Sequence, residues 1–274
     1  MLHCGHFTLS LDRPLIMGIV NVTPDSFSDG GHFYSPEHAV THAMKLVEEG
    51  ADLLDIGGES TRPGAQSVGV EEELERILPV LEGLSNCGVP LSVDTMKPGV
   101  MRAAIRSGAD MINDVNALQS PGALRAVADS GVGVCLMHMQ GEPRTMQHNP
   151  HYQDVVAEVK DFLAARIAAA EGAGIARERI VIDPGFGFGK ALEHNLALLR
   201  DLDAFQSLAV PLLAGLSRKS MLGALTGLGV AERMVPGLAA AVISAMKGAK
   251  ILRVHDVKET RQALQVVSAV EGAR

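Results

Sequence analysis

Tryptophan is absent and aromatic residues make up 3% of the chain, so there is little here with which to stack nucleobases. The basic excess of a general nucleic-acid binder is missing too, since the formal net charge is −8. Cysteine is scarce: Cys4, Cys87 and Cys135 are odd in number and form no CxxC, which fits reduced thiols in the cytoplasm better than a disulfide framework. No apolar stretch reaches the ~18 residues of a membrane span; the nearest approach, Leu238 to Met246, already contains Ser244. The first residues, Met-Leu-His-Cys-Gly-His, have no charged region leading into an apolar core, so no signal peptide is expected. A soluble cytoplasmic protein without nucleic-acid or membrane partners is the expectation.

What is present is core-forming material. The 274 residues are 47% hydrophobic and include 29 glycines, enough for a large interior and many tight turns. Eight short apolar runs read as strands: Leu15–Val20, Asp52–Ile56, Pro90–Val93, Asp110–Asn113, Val132–Met137, Arg179–Ile182, Val210–Ala214 and Lys250–Val254. Most are continuous, not alternating, as parallel strands buried on both faces require. Helical patterns lie between them. Val40, Ala43, Met44 and Val47 repeat at helical spacing behind Ser35 as N-cap and Pro36. Val155, Val159, Phe162, Leu163 and Ile167 do the same. Three joints, Glu49-Gly-Ala-Asp52, Ser107-Gly-Ala-Asp110 and Lys247-Gly-Ala-Lys250, place glycine where a helix ends in a left-handed residue. Eight such units in a single domain over 1–274 predict an α/β fold, a (β/α)8 TIM barrel, with the first dozen residues forming a short hairpin over its bottom.

A barrel gathers the loops after its strands on one rim. The strand ends in order supply Asn21, then Glu59-Ser60-Thr61-Arg62, Asp94, Asn113-Asp114, His138, Asp183, Ser217-Arg218-Lys219-Ser220 and Arg253-Val254-His255. Against an acidic background, the clustered Arg62, Arg218, Lys219, Arg253 and His255 read as a phosphate-type anion site; solvated charges paired with nearby acids are the alternative. Asp94, Asn113 and Asp183 follow apolar residues, and carboxylates so placed need partners. A flat heterocycle with an N–H-bearing edge would supply them, as would helix capping by the same side chains.

Asp183-Pro-Gly-Phe-Gly-Phe-Gly-Lys190 is glycine-rich but lacks the GxxxxGK[ST] spacing of a nucleotide phosphate loop. Five of the scarce aromatics, Phe27, Phe33, Tyr34, Phe186 and Phe188, fall in two rim loops, either to contact a flat ligand or to anchor those loops. His138, His148 and His151 fit no zinc spacing, and Cys135 reads as core.

These segments, from Asn21-Val-Thr-Pro-Asp-Ser-Phe-Ser-Asp-Gly-Gly31 and Asp55-Ile-Gly-Gly-Glu-Ser-Thr-Arg-Pro-Gly64 through Ser92-Val-Asp-Thr95, Ile112-Asn-Asp114, Asp183–Lys190 and Gly215-Leu-Ser-Arg-Lys-Ser-Met221 to Arg253-Val-His-Asp256, resemble the dihydropteroate synthases of the bacterial folate pathway along the whole chain. The resemblance implies a transferase joining 6-hydroxymethyl-7,8-dihydropterin diphosphate to 4-aminobenzoate with release of diphosphate. It implies that Asp94, Asn113, Asp183 and Lys219 grip the pterin. Asn21 would hold Mg2+ on the diphosphate, whose oxygens would meet Thr61, Arg62, Arg253 and His255. Phe27, Thr61, Pro63, Phe188, Lys219 and Ser220 would form the aminobenzoate pocket, and Asp94, Lys219, Arg253 and His255 would serve catalysis. It further implies a homodimer, for which the Ala-rich helix near Leu238–Met246 is the candidate segment to pack against a neighbour.

The implied chemistry is dissociative: diphosphate leaves first, and a cation spread over the pterin meets the arylamine. Two rivals remain at this level. A methyltetrahydrofolate-dependent methyltransferase would share the strand-end Asp and Asn but has no use for Ser217-Arg-Lys-Ser220 or a diphosphate site. A non-catalytic pterin binder would be expected to have damaged first and second loops (22–35 and 59–68), and both are intact.

Overall fold

The computed structural model describes residues 1–23, 35–60, 67–143 and 145–272. Two short strands, β1 (Leu2–Cys4) and β2 (Phe7–Leu9), pair antiparallel. The chain then alternates strand and helix: β3 (Leu15–Asn21), α1 (Pro36–Glu48), β4 (Leu53–Gly57), α2 (Val70–Gly83), β5 (Leu91–Asp94), α3 (Pro98–Arg106), β6 (Met111–Asp114) and α4 (Ala123–Ala128). It continues with β7 (Gly133–Met137), α5 (Val155–Gly172), β8 (Ile180–Asp183), α6 (Leu192–Arg200), β9 (Leu213–Ala214), α7 (Ser220–Thr226), α8 (Met234–Met246), β10 (Ile251–Val254) and α9 (Val257–Gly272). Eight strands run parallel in the order β8-β7-β6-β5-β4-β3-β10-β9. A parallel bridge between Ile182 and Leu212 joins the two ends, so the barrel closes as the sequence predicts.

All eight expected strands are present, but several begin and end one residue later than their apolar runs. Asp52 and Asp110 are the reason at the N-terminal side. Asp52 accepts the Ile16 N–H at 2.8 Å and pairs with Arg13 and Arg261 at 2.7 and 2.6 Å. Asp110 accepts the Leu91 N–H at 3.0 Å. These carboxylates serve as side-chain acceptors under the sheet. β9 is shorter than the run Val210–Ala214 because Pro211 has no N–H to donate; its carbonyl instead accepts the Ile182 N–H at 3.0 Å.

The three joint glycines, Gly50, Gly108 and Gly248, have φ of 101°, 95° and 93°, the left-handed conformation expected of them. In α1 the buried stripe is Ala39, Ala43 and Leu46, and Met44 is exposed. The helical period was legible there, but its phase lies one residue from the one expected. Ser35 occupies the N-cap without making a capping hydrogen bond. In α5 the expected face is buried at Val155, Val159, Leu163 and Ile167, and Asp154 caps the helix by accepting from Val156 and Ala157.

Strand alternation divides the interior into layers. Leu15, Met17, Leu53, Met111, Cys135, Val181, Leu213 and Ile251 form one buried cluster with Leu2 and Cys4. These residues fill the lower barrel, and the hairpin plugs it from below. The alternate residues, such as Ile16, Leu54, Val93, Ile112, Val134, Ile182 and Leu252, pack outward against the helices. Two positions further along the inward-facing set come Asp55, Asn113, Asp183 and Arg253, then Asn21, Gly57 and Asp94 one layer higher. An apolar, plugged floor therefore carries a polar mouth.

Candidate active site

The mouth is organised by one guanidinium. Arg253, on β10, donates from Nε to Asp55 Oδ2 at 2.5 Å and from Nη2 to Asp94 Oδ2 at 3.0 Å. Asp55 Oδ2 also accepts from Asn113 Nδ2 at 3.0 Å. Asp94 and Asn113 are register partners on β5 and β6, while Asp55 lies two residues below Gly57, the partner of Asp94. Burial pushes the Asp94 carboxyl up to about 7; Arg253 opposes the rise and Asp55, Glu73 and Asp114 add to it. Burial works against the charge on Arg253, but Asp55 and Asp94 outweigh it and hold the guanidinium above its already high ordinary value.

Across the mouth, Asp183 closes β8. Its Oδ1 accepts the Gly185 N–H at 2.7 Å, and burial raises its pKa against the opposing charges of Lys219, Lys190 and Arg253. Lys219 donates to the Phe186 carbonyl and sits 4.6 Å from the centre of the Phe188 ring. Burial lowers Lys219 to about 8, with Asp183 the largest opposing influence. The glycines between these groups keep the mouth open. A Cβ on Gly57 would lie 3.6 Å from Asp94 Cβ, and one on Gly215 3.9 Å from Asp183 Oδ2 and 3.8 Å from Arg253 Cβ.

Asp94, Asn113, Asp183, Lys219 and Arg253, drawn from five separate strand ends, thus meet around one opening. Asn21 ends β3 beside Gly57 and is half-buried on the same rim. His255 follows β10 and shares a 3.0 Å hydrogen bond between Nδ1 and Ser217 Oγ. Ser220 is the exposed first residue of α7. Phe27, Thr61, Arg62 and Pro63 lie outside the described residues.

One member of the expected basic cluster, and several other rim residues, are engaged elsewhere. Arg218 pairs with Asp256 at 2.6 Å, so for this residue the alternative of a charge paired with a nearby acid holds. Phe186 is completely buried and anchors its loop, leaving Phe188 as the aromatic at the mouth. Asp114 works locally, accepting the N–H groups of Asn116 and Leu118 at 2.8 Å each. His138 is engaged by its neighbour: Lys190 Nζ lies 2.9 Å from its Nδ1, and burial followed by the Lys190 charge pushes it down to about 3. Among the described residues no three His, Cys, Asp or Glu side chains gather as a metal site.

Sequence reasoning passed over three contributors. Asp55 interrupts the apolar run Leu53-Leu54-Asp55-Ile56, and a carboxylate inside a buried strand was the available signal. Lys190 is buried and donates to the carbonyls of Gly185, Phe188 and His138 at 2.9, 3.0 and 3.3 Å, fastening the glycine-rich loop. A Cβ on Gly185, where φ is 71°, would fall 1.9 Å from the His138 oxygen, so the loop is glycine-rich in order to lie flat on β7. Glu73 and Lys97 form the third feature: Lys97 Nζ bridges Glu59 and Glu73 at 2.5 Å each. Glu73 lies on the buried stripe of α2 with Ile77, Val80 and Leu81, where a carboxylate is out of place without such a partner. An open groove at the opposite end of the barrel, lined by residues including Phe7, Arg13, Asp52 and Pro90, holds charges already paired with each other.

The geometry can be set beside known proteins. The family described as pterin binding enzyme matches residues 17–255. The dihydropteroate synthase of Escherichia coli K12 is 54% identical over 268 residues, covering 97% of this chain and 95% of that protein. The structure of Xanthomonas albilineans dihydropteroate synthase with 4-aminobenzoic acid superposes with a TM-score of 0.91 at 59% identity, covering 96% of this chain and 95% of the other. That of the Burkholderia cenocepacia enzyme, complexed with 7,8-dihydropteroate, gives 0.91 at 51% identity over 99% and 96%.

The Lys190 arrangement yields a stability test. Lys190→Met keeps the length of the side chain but removes the donor, at about 1–3 kcal/mol for each buried acceptor left alone. Urea unfolding should show the loss, and amide exchange should speed up selectively over residues 185–190; unchanged exchange there would contradict the fastening role.

Proposed function

The chain belongs to the pterin-binding enzymes and, among them, to the dihydropteroate synthases, and on that footing we propose how its mouth joins 6-hydroxymethyl-7,8-dihydropterin diphosphate to 4-aminobenzoate. The observation that carries the reading is the Arg253–Asp55–Asp94–Asn113 network facing Asp183 and Lys219. Three carboxylates and two cations leave a net negative mouth when all are ionised. Acceptors on Asp94, Asn113 and Asp183 suit a ring edge rich in N–H, and the negative balance suits a ring that becomes a cation.

In the proposed reaction the bond between the pterin methylene and the diphosphate oxygen breaks, and its electron pair leaves with diphosphate. The arylamine nitrogen then bonds to the methylene and releases a proton. Asp94 and Asp183 stabilise the ring cation between these events. Two donor directions of Arg253 are taken by carboxylates, so its remaining N–H groups, with His255, face the leaving group, and Thr61 and Arg62, outside the described residues, would join them. Phe188, Ser220 and the stem of Lys219 border the aminobenzoate side, to which Phe27, Thr61 and Pro63, likewise outside the described residues, would add.

Mg2+ fits as the counter-ion of the diphosphate and not as a caged metal. No carboxylate and histidine cluster exists among the described residues, whereas Asn21 offers one neutral oxygen on the rim, and Mg2+ characteristically combines few protein ligands with phosphate oxygens and water. Bound there, it would offset charge building on the departing diphosphate.

We also assign the homodimer and its face. Ala240, Ala241 and Ala245 are turned into the protein. The apolar groups left outward on α8 and the adjoining α9 include Met234, Val235, Ile243, Met246, Val266 and Val270, and a second copy would cover them. No described helix is long and apolar enough to cross a membrane, and we place the protein in the cytoplasm.

Three outcomes test these assignments. In a turnover assay with both substrates and Mg2+, Asp183→Ala should abolish measurable pterin affinity, and Lys219→Ala should raise KM for both substrates; pterin affinity surviving the first change would remove that carboxylate from the site. For pH, Asp94 must be ionised, hence above about 7, and Lys219 protonated, hence below about 8. The profile of kcat/KM should therefore peak between these values, and Lys219→Arg should erase the alkaline limb alone. Sedimentation of Ile243→Asp/Val266→Asp should show a monomer where the parent sediments as a dimer.

A further inference from the structure

We propose that Asp55 is the positioning and specificity-setting residue of the mouth: by accepting from both Asn113 and Arg253 it fixes which end of the Asn113 amide meets the ring. The inference rests on the pterin reading above and deepens it.

An asparagine is ambiguous, because its amide presents a donor or an acceptor according to a half-turn about one bond. Here the ambiguity is removed. Asp55 Oδ2 lies 3.0 Å from the Asn113 nitrogen and 2.5 Å from Arg253 Nε. An oxygen already accepting from a guanidinium is a poor neighbour for a second acceptor, so the amide N–H turns to Asp55 and Oδ1 is what remains for the ligand. Position 113 thus joins Asp94 and Asp183 as an acceptor, and the mouth selects a heterocycle whose edge carries donors.

Two features mark Asp55 as kept for this task and not for folding. It is completely buried on a strand whose other residues are apolar. In addition, its Oδ1, with Ser92 Oγ on the register-partner residue, has no hydrogen-bond partner among the described residues. Carrying an unsatisfied buried carboxylate oxygen weakens a fold.

The probe is 6-hydroxymethylpterin, a 2-amino-4-oxopteridine without diphosphate, titrated by calorimetry into the full-length protein and its variants. Asp55→Val removes the oxygen shared by Arg253 and Asn113, frees the amide of Asn113, and should weaken pteridine binding at least ten-fold. Asp55→Asn keeps an oxygen that can accept from both and should stay within about three-fold of the parent. Asn113→Asp alone sets two carboxylates face to face and should also bind poorly. In the double variant Asp55→Val/Asn113→Asp residue 113 faces no second carboxylate and can only accept, so affinity should return to within about three-fold of the parent. Parent-like binding by Asp55→Val, or a double variant no better than Asp55→Val, would overturn the inference. Failure of the parent itself to bind the pteridine would instead overturn the pterin reading.

Discussion

Everything in the mouth depends on a guanidinium placed among carboxylates with little water to screen them. Without Arg253, Asp55 and Asp94 would be two neighbouring carboxylates in a poorly solvated layer. Asp94 is pushed to about 7 by burial even with Arg253 opposing the rise. Arg253 therefore keeps Asp94 available as a charge. The dependence runs both ways, because Asp55 and Asp94 fix the plane of the guanidinium and so the directions left to its other N–H groups. A lysine could supply the charge but not the two-pronged geometry.

The barrel makes this arrangement possible by separating its layers. The hairpin residues Leu2 and Cys4 seal the floor against Met17, Leu53, Met111 and Ile251, so the lower interior can be wholly apolar and supply the packing. The upper layer is then free to hold groups that weaken the fold, among them the half-satisfied Asp55. Glycines at 57 and 215 stand where side chains would otherwise close the opening. Stability resides below and chemistry above, connected by strands only four or five residues long for the most part.

The sequence declared the architecture through quantities that are local. Continuous apolar runs, glycine joints and the change from run to polar loop each require only a few neighbouring residues, and the eight strands followed from them. Strand ends such as Asn21, Asp94 and Asp183 were legible for the same reason: the run stops and a polar residue follows. Convergence of Asp94, Asn113, Asp183, Lys219 and Arg253 could be expected from barrel closure alone. What escaped were pairings. Arg218 resembled an anion ligand until Asp256, 38 residues away, was seen to hold it. Lys190 looked like the tail of a loop motif, although its partners lie on that loop and on His138, just past β7. The phase of α1 was missed by one residue because Met44 and Leu46 are equally apolar in sequence, and only the packed barrel decides between them.

Asp55 shows why such pairings are hard to read and worth finding. In the sequence it is one acid in an otherwise apolar run, and its neighbours suggest only a buried strand. Its consequence appears two strands away, where Asn113 loses the freedom to present either end of its amide. A ligand-binding residue and the residue that decides what it binds can thus be distinct, and the second need not touch the ligand. Specificity in this mouth accordingly has two layers: the upper acceptors meet the ring, and the lower carboxylate determines that they are acceptors. Arg253 belongs to both, since it neutralises the lower layer and reaches into the upper one.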